Sequence, residues 1–141
     1  MRILIMGLPK SGKTALGEKL SKEFGILFWD ADVVRKVYND WDFTLQGRER
    51  QALRMRKLSE LEAITISAFV CPLPGFRSFF FPDKLIWMDT VEDCEYEDTN
   101  KLFSPPTKYD VRITKLGEDT EAFDLVRKCI CLLYTSDAAD E

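Results

Sequence analysis

An α/β fold, with a parallel β-sheet sandwiched between helical layers, follows from three observations. The chain opens on an apolar run, RILIM, that stops at a glycine, Gly7. A helix-forming stretch begins at Gly12. Beyond it, short apolar runs alternate with amphipathic segments, which is how strand-helix units read in a sequence. The 141 residues suit one domain around one core. With 45% hydrophobic and 31% charged residues the balance is globular, and no apolar run nears the roughly 20 residues that cross a bilayer. No membrane partner is expected.

Residues 2–6 form a strand buried on both faces, since polar alternation is missing. The next helix runs from Gly12 to about Phe24, with Leu16, Leu20 and Phe24 on one face and Gly25 past its end. ILFW (26–29) is the second strand and ADVVRKVY (31–38) a short helix. GRERQALRMRKLSELE (47–62) is a longer helix with an apolar stripe of Ala52, Met55, Leu58 and Leu61. Strands follow at 64–70, 84–89 and 109–114, and a closing helix at 120–130. The segment 98–110 reads as mobile coil.

The last eleven residues, CLLYTSDAADE, break the amphipathic pattern and resemble the in-frame translation of a sequencing-library adapter. The domain is therefore read as 1–130, with 131–141 a non-native tail and the natural C-terminus lying elsewhere. Without Asp137, Asp140 and Glu141 the acids fall from 24 to 21 against 20 bases, so net charge moves from -4 to -1 and identifies no partner. The amino terminus lacks a secretory signal, which makes the cytoplasm the expected compartment. Cys71, Cys94, Cys129 and Cys131 have no metal-ligand spacing and histidine is absent, so proton transfer falls to carboxylates.

GLPKSGKT fits G-x-x-x-x-G-K-[ST]. The loop of Gly7, Leu8, Pro9, Lys10, Ser11, Gly12, Lys13 and Thr14 would wrap the phosphates of a nucleotide with its available main-chain N–H groups, with glycine where a Cβ would collide. Lys13 would reach the β- and γ-phosphates, and the Thr14 hydroxyl would ligate Mg²⁺. The strand before the motif and the helix after it supply the required context for a P-loop nucleoside-triphosphate hydrolase or kinase fold.

WDADVVR puts Asp30, Asp32 and Arg35 at the carboxyl edge of the sheet, beside the phosphate loop if the first two strands are neighbours. An Asp there can hold Mg²⁺ or accept the proton of an attacking hydroxyl. Asp30 serves equally well as a helix N-cap, so Asp32 is favoured for metal or base work. Farther on, Arg48, Arg50, Arg54, Arg56 and Lys57 share one helix. Such a run is read as a solvated face, a nucleic-acid contact or a grip on a small anion. A near-neutral chain lacks the broad basic field that nucleic acid requires, which leaves no nucleic-acid partner expected and favours the small anion.

In series, GLPKSGKT, WDADVVR, DFTLQGRERQALR, SAFVCPLPGFR and EDTNKLF resemble the adenylylsulfate kinases from Met1 to about Thr114. The resemblance implies transfer of the γ-phosphoryl of ATP to the 3′-hydroxyl of adenylylsulfate, with Mg²⁺ as cofactor and ATP and adenylylsulfate as partners. It assigns Lys13, Asp32 and Asp30 to catalysis, Thr14 and Asp32 to the metal, and Arg35, Arg48, Arg54 and Arg77 to the acceptor. It also implies that Phe43 stacks on adenine, Gln51 reaches the base and Lys101 begins a water-excluding lid. A homodimer is compatible with it. Departures are plain: Cys71 replaces a serine, Gly47 an aspartate and Gln51 an asparagine, the lid lacks a basic insertion, and the segment around RSFFFPDKLIW loses most of a helix. Two alternatives stay open: a kinase of another small nucleotide or anionic metabolite, and a truncated, non-catalytic nucleotide-binding module.

Overall fold

The computed structural model describes the backbone of residues 1–140 and the side chains of residues 1–134. Its described strands are β1 (Arg2–Met6), β2 (Leu27–Asp30), β3 (Thr65–Ala68), β4 (Lys84–Met88) and β5 (Val111–Ile113). They form one all-parallel sheet in the order β2-β3-β1-β4-β5. The helices are α1 (Lys13–Phe24), α2 (Ala31–Tyr38), α3 (Leu45–Ser59), α4 (Pro74–Phe80), α5 (Glu97–Leu102) and α6 (Thr120–Asp140). Central β1 sends Ile3 and Ile5 into a core with Leu16 and Leu20 of α1 and Val126 of α6. Its Leu4 and Met6 point into a second core with Met55 of α3 and Phe80 of α4. This two-sided burial explains why β1 carries no polar alternation.

The first two strands are not neighbours. Helix α1 packs across both β3 and β2, so it carries the chain one place beyond the position next to β1, and β3 fills the gap. Register nevertheless keeps the strand ends level: Ile5 pairs with Ala68, and Ala68 with Asp30. The phosphate loop and the Asp30 turn therefore open onto the same edge.

Helix α3 starts earlier than its basic run suggests because the Thr44 hydroxyl accepts the Gly47 N–H at 3.2 Å. It also ends earlier, at Ser59, which leaves Leu61 63% exposed and outside the stripe formed by Ala52, Met55 and Leu58. The expected coil at 98–110 begins inside α5, and α4 keeps two turns where little helix was foreseen. Helix α6 buries Ala122, Val126 and Cys129 and packs Ile130 against the core. It then stays helical while Leu132 and Tyr134 face solvent, so its described core contacts lie within 120–130. Among the described residues no helix is long and apolar enough to cross a membrane.

Candidate active site

The loop from Gly7 to Gly12 joins buried Met6 to the first turn of α1. Gly12 has φ 100°, a left-handed conformation that side chains disfavour, and it leaves α1 without a side-chain cap. The first-turn amides of α1 are thereby left for an anion. Thr90, just beyond β4, donates its hydroxyl to the Ser11 carbonyl at 2.7 Å and ties the loop to the sheet. Ser11 is fully buried, and among the described residues its Oγ has no hydrogen-bond partner. Lys13 folds back so that Nζ donates to the Leu8 carbonyl at 2.8 Å. Desolvation pushes its pKa down to about 8, only partly opposed by the nearby Asp32 and Asp30 carboxylates.

Asp30 is the N-cap of α2, and its second carboxylate oxygen is turned to the phosphate loop. One carboxylate oxygen, Oδ1, accepts the Asp32 N–H at 3.0 Å and caps α2; the other, Oδ2, accepts the Thr14 hydroxyl at 2.8 Å. Thr14, Asp30 and Asp32 all line one cavity of about 750 Å³, together with Lys13, Arg35, Phe43, Arg48 and Gln51. The Thr14 hydroxyl and two carboxylates are hard oxygen donors, a set that suits Mg²⁺.

The far lobe of the cavity is aromatic and cationic. The guanidinium carbons of Arg35 and Arg48 lie 4.4 and 5.4 Å from the Phe43 ring centroid. Arg35 Nη1 donates to the carbonyls of Asp40 and Asp42 at 3.0 and 3.2 Å. Arg48 donates through Nε to the Phe43 carbonyl at 2.8 Å and through Nη2 to Thr99 Oγ1 at 3.1 Å. Burial lowers the pKa of both arginines. Gln51 is nearly inaccessible: Nε2 donates to the Ala31 carbonyl at 3.1 Å, and Oε1 accepts Arg54 Nη1 at 2.8 Å. Trp41 and Tyr96, both about half-exposed, complete the aromatic wall. Sequence reasoning passed over these two, although single aromatics inside the acidic strings NDWD and CEYED were the available signal.

Two expected acceptor residues, Arg54 and Arg77, and the expected lid residue Lys101 are not among those lining the cavity. Arg54 holds Gln51 and donates to Asp40 Oδ2 at 3.0 Å, and its guanidinium carbon lies 4.2 Å from the Tyr38 ring centroid. Arg77 donates to the carbonyls of Cys71, Pro72 and Ser104, clamping the chain after β3 to the segment after α5. Lys101 is exposed on α5. The basic run of α3 divides: Arg48 is buried and Arg54 and Arg50 converge on Asp40, while Arg50 and Lys57 stay exposed to solvent. Those hydrogen bonds hold the Asp40 carboxyl well below the usual carboxylate range. Gly47 has a local reason: a Cβ there would lie 2.1 Å from the Asp42 carbonyl oxygen, so the loop carrying Phe43 can fold onto α3 only over a glycine. Cys71 is a buried thiol whose pKa is pushed up by desolvation. A shallower depression of about 840 Å³ lies at the amino ends of β2 and β3 and contains no phosphate-loop residue.

No family model and no curated protein sequence matches the chain. Solved structures do. The APS kinase of Mycobacterium tuberculosis in complex with AMPPNP and APS aligns at TM-score 0.68 and 20% identity, over 94% of this chain and 96% of that one. A gluconokinase from Sinorhizobium meliloti 1021 aligns at 0.68 and 12%, over 96% of each chain. The shikimate kinase of Aquifex aeolicus aligns at 0.59 and 23%, over 100% of each. The likeness is one of fold: a five-stranded parallel sheet flanked by helices, as in these P-loop kinases.

Proposed function

We propose that this chain is an ATP-dependent phosphotransferase acting on an alcohol group, and that its acceptor is adenylylsulfate. One observation carries the reading: the Thr14 hydroxyl meets the Asp30 carboxylate at 2.8 Å in a cavity that also holds Asp32 and an arginine-flanked aromatic lobe. The motif series favours adenylylsulfate, and a structural neighbour was solved with APS.

In this reading the loop amides and Lys13 hold the ATP phosphates. Lys13 leaves the Leu8 carbonyl and offsets the negative charge that develops on the transferred group. Thr14 and the two carboxylates would hold Mg²⁺, which supplies further charge neutralisation when bound. Asp32 accepts the proton of the acceptor hydroxyl, with Asp30 fixing the turn from which Asp32 projects. Phe43 stacks on the base of the acceptor, while Arg35 and Arg48 orient its anionic part. Arg54 and Arg77 act at one remove, Arg54 through Gln51 and Arg77 by closing the floor near Cys71. Lys101 belongs to the segment that closes over the site and excludes water.

The test is a coupled assay of ADP release with adenylylsulfate. Turnover well above the rate with water supports the assignment, and turnover no faster than with water removes it. A second reading, a kinase of a less anionic nucleotide, draws on the fact that Arg35 and Arg48 already donate to protein oxygens. A panel of nucleosides and nucleotides separates the two.

A further inference from the structure

The segment from Val91 to Phe103, which contains α5, is strongly acidic: Glu92, Asp93, Glu95, Glu97 and Asp98 stand against Lys101 alone. It also forms one wall of the cavity, through Glu95, Tyr96, Asp98 and Thr99. An acidic wall is an unexpected neighbour for a site that must admit polyanions, since like charges brought together in a cleft repel. Its contacts account for it. Asp98 Oδ2 lies 3.6 Å from Arg48 Nη2, the side chain of Arg48 being 6% and that of Asp98 68% exposed. The cation is therefore fixed in the wall and the anion is free to swing. At the other end of the segment Glu95 lies 3.8 Å from Lys10 of the phosphate loop, both largely in solvent.

We propose that Asp98 is a place-holding carboxylate: with the cavity empty it occupies the seat on Arg48 that the anionic group of the acceptor takes, and the acceptor enters by displacing it. Asp98 is then a specificity-determining residue, because it sets how much anionic character an acceptor needs to win Arg48. A hydroxyl compound with no anionic group cannot displace it. Thr99 keeps its own bond to Arg48 Nη2, so the exchange swings one side chain and leaves α5 anchored. This inference rests on the proposed kinase reading for the identity of the acceptor, but the exchange itself can be measured without it.

The experiment compares wild type, Asp98→Asn and Asp98→Glu. With the phosphate loop filled by ADP, inorganic sulfate is titrated at constant ionic strength and followed by isothermal titration calorimetry. Removing the competing charge is expected to tighten sulfate about two- to fivefold in Asp98→Asn, the range an exposed ion pair supports. Asp98→Glu retains the charge and stays within about twofold of wild type. In the coupled assay the KM for adenylylsulfate falls in Asp98→Asn by a similar factor. Equal sulfate affinity in wild type and Asp98→Asn, including no binding to either, overturns the proposal, as does weaker binding by Asp98→Asn, which marks Asp98 as part of the seat. Absence of adenylylsulfate turnover in all three proteins, with sulfate tightened in Asp98→Asn, removes the acceptor assignment and leaves the exchange standing.

Discussion

Lys13 shows how a single side chain can carry the energetics of a phosphate loop. Buried beneath its own loop, with a carbonyl as its hydrogen-bond acceptor, it has a pKa near 8 in the folded protein against an ordinary 10.5. Between those two values the unfolded chain binds the proton that the folded chain releases, so this residue makes stability rise with pH from about 8 to 10.5, and its cost is fully felt below 8. Bound phosphates reverse the balance by favouring the ammonium. Calorimetric titration with ATP at pH 9, repeated in buffers of different ionisation enthalpy, is expected to show proton uptake that disappears in Lys13→Met. The two carboxylates of the turn separate in the same way. Asp32→Asn is expected to lower kcat about 100-fold or more with little change in Tm, the usual scale for losing a positioned base. Asp30→Ala removes the cap of α2 and the partner of Thr14, and costs about 1 kcal/mol of stability in addition to activity. Paired measurements of Tm and kcat on both variants check this.

Among the elements, α3 turned out most unlike its reading in sequence. Its run of arginines looked like a face awaiting a ligand, yet Arg50 and Arg54 are drawn onto Asp40, and Arg48 turns inward to the segment after β4. Nothing local announces this, because Asp40 lies ten residues from Arg50 and Thr99 lies 51 from Arg48. The phosphate loop, by contrast, could be read directly, since strand, glycines, lysine and helix are consecutive. The helix over 31–38 was legible for the same reason, its cap and stripe lying together within residues 30–38. The short α4 and α5 fall below the length at which a periodicity stands out, and each is held by a distant contact, α4 through its own Arg77 to the Ser104 carbonyl and α5 through Thr99 to Arg48. The arginine-bound Asp40 has a testable signature. Its folded pKa is depressed, so its contribution is present above the ordinary 3.8 and is lost as pH falls toward the depressed value. The Tm difference between wild type and Asp40→Asn is therefore expected at pH 7 and should shrink below about pH 3.8. Thermal melts across pH 2.5 to 7 follow it.

For the molecule as a whole, the described core contacts of α6 end at Ile130, while Leu132 and Tyr134 point to solvent. A chain stopped after Ile130 is expected to keep its Tm within about 4 °C of the full chain, the shift that roughly 1 kcal/mol produces at this size. Differential scanning calorimetry on both lengths decides it. The sheet order could not be read from sequence, because which gap a crossover leaves depends on how α1 lies across strands that have not yet been made. That order carries a consequence for biogenesis. Thr14 and Asp30 are only sixteen residues apart and leave the ribosome almost together, yet the edge strand bearing Asp30 has nothing to pair with until residues 65–68 have been synthesised and zipped onto the central strand. Nascent chains shorter than that hold both halves of the proposed metal seat and cannot join them, so on the proposed reading nucleotide gains its hold only on a chain whose sheet has already closed.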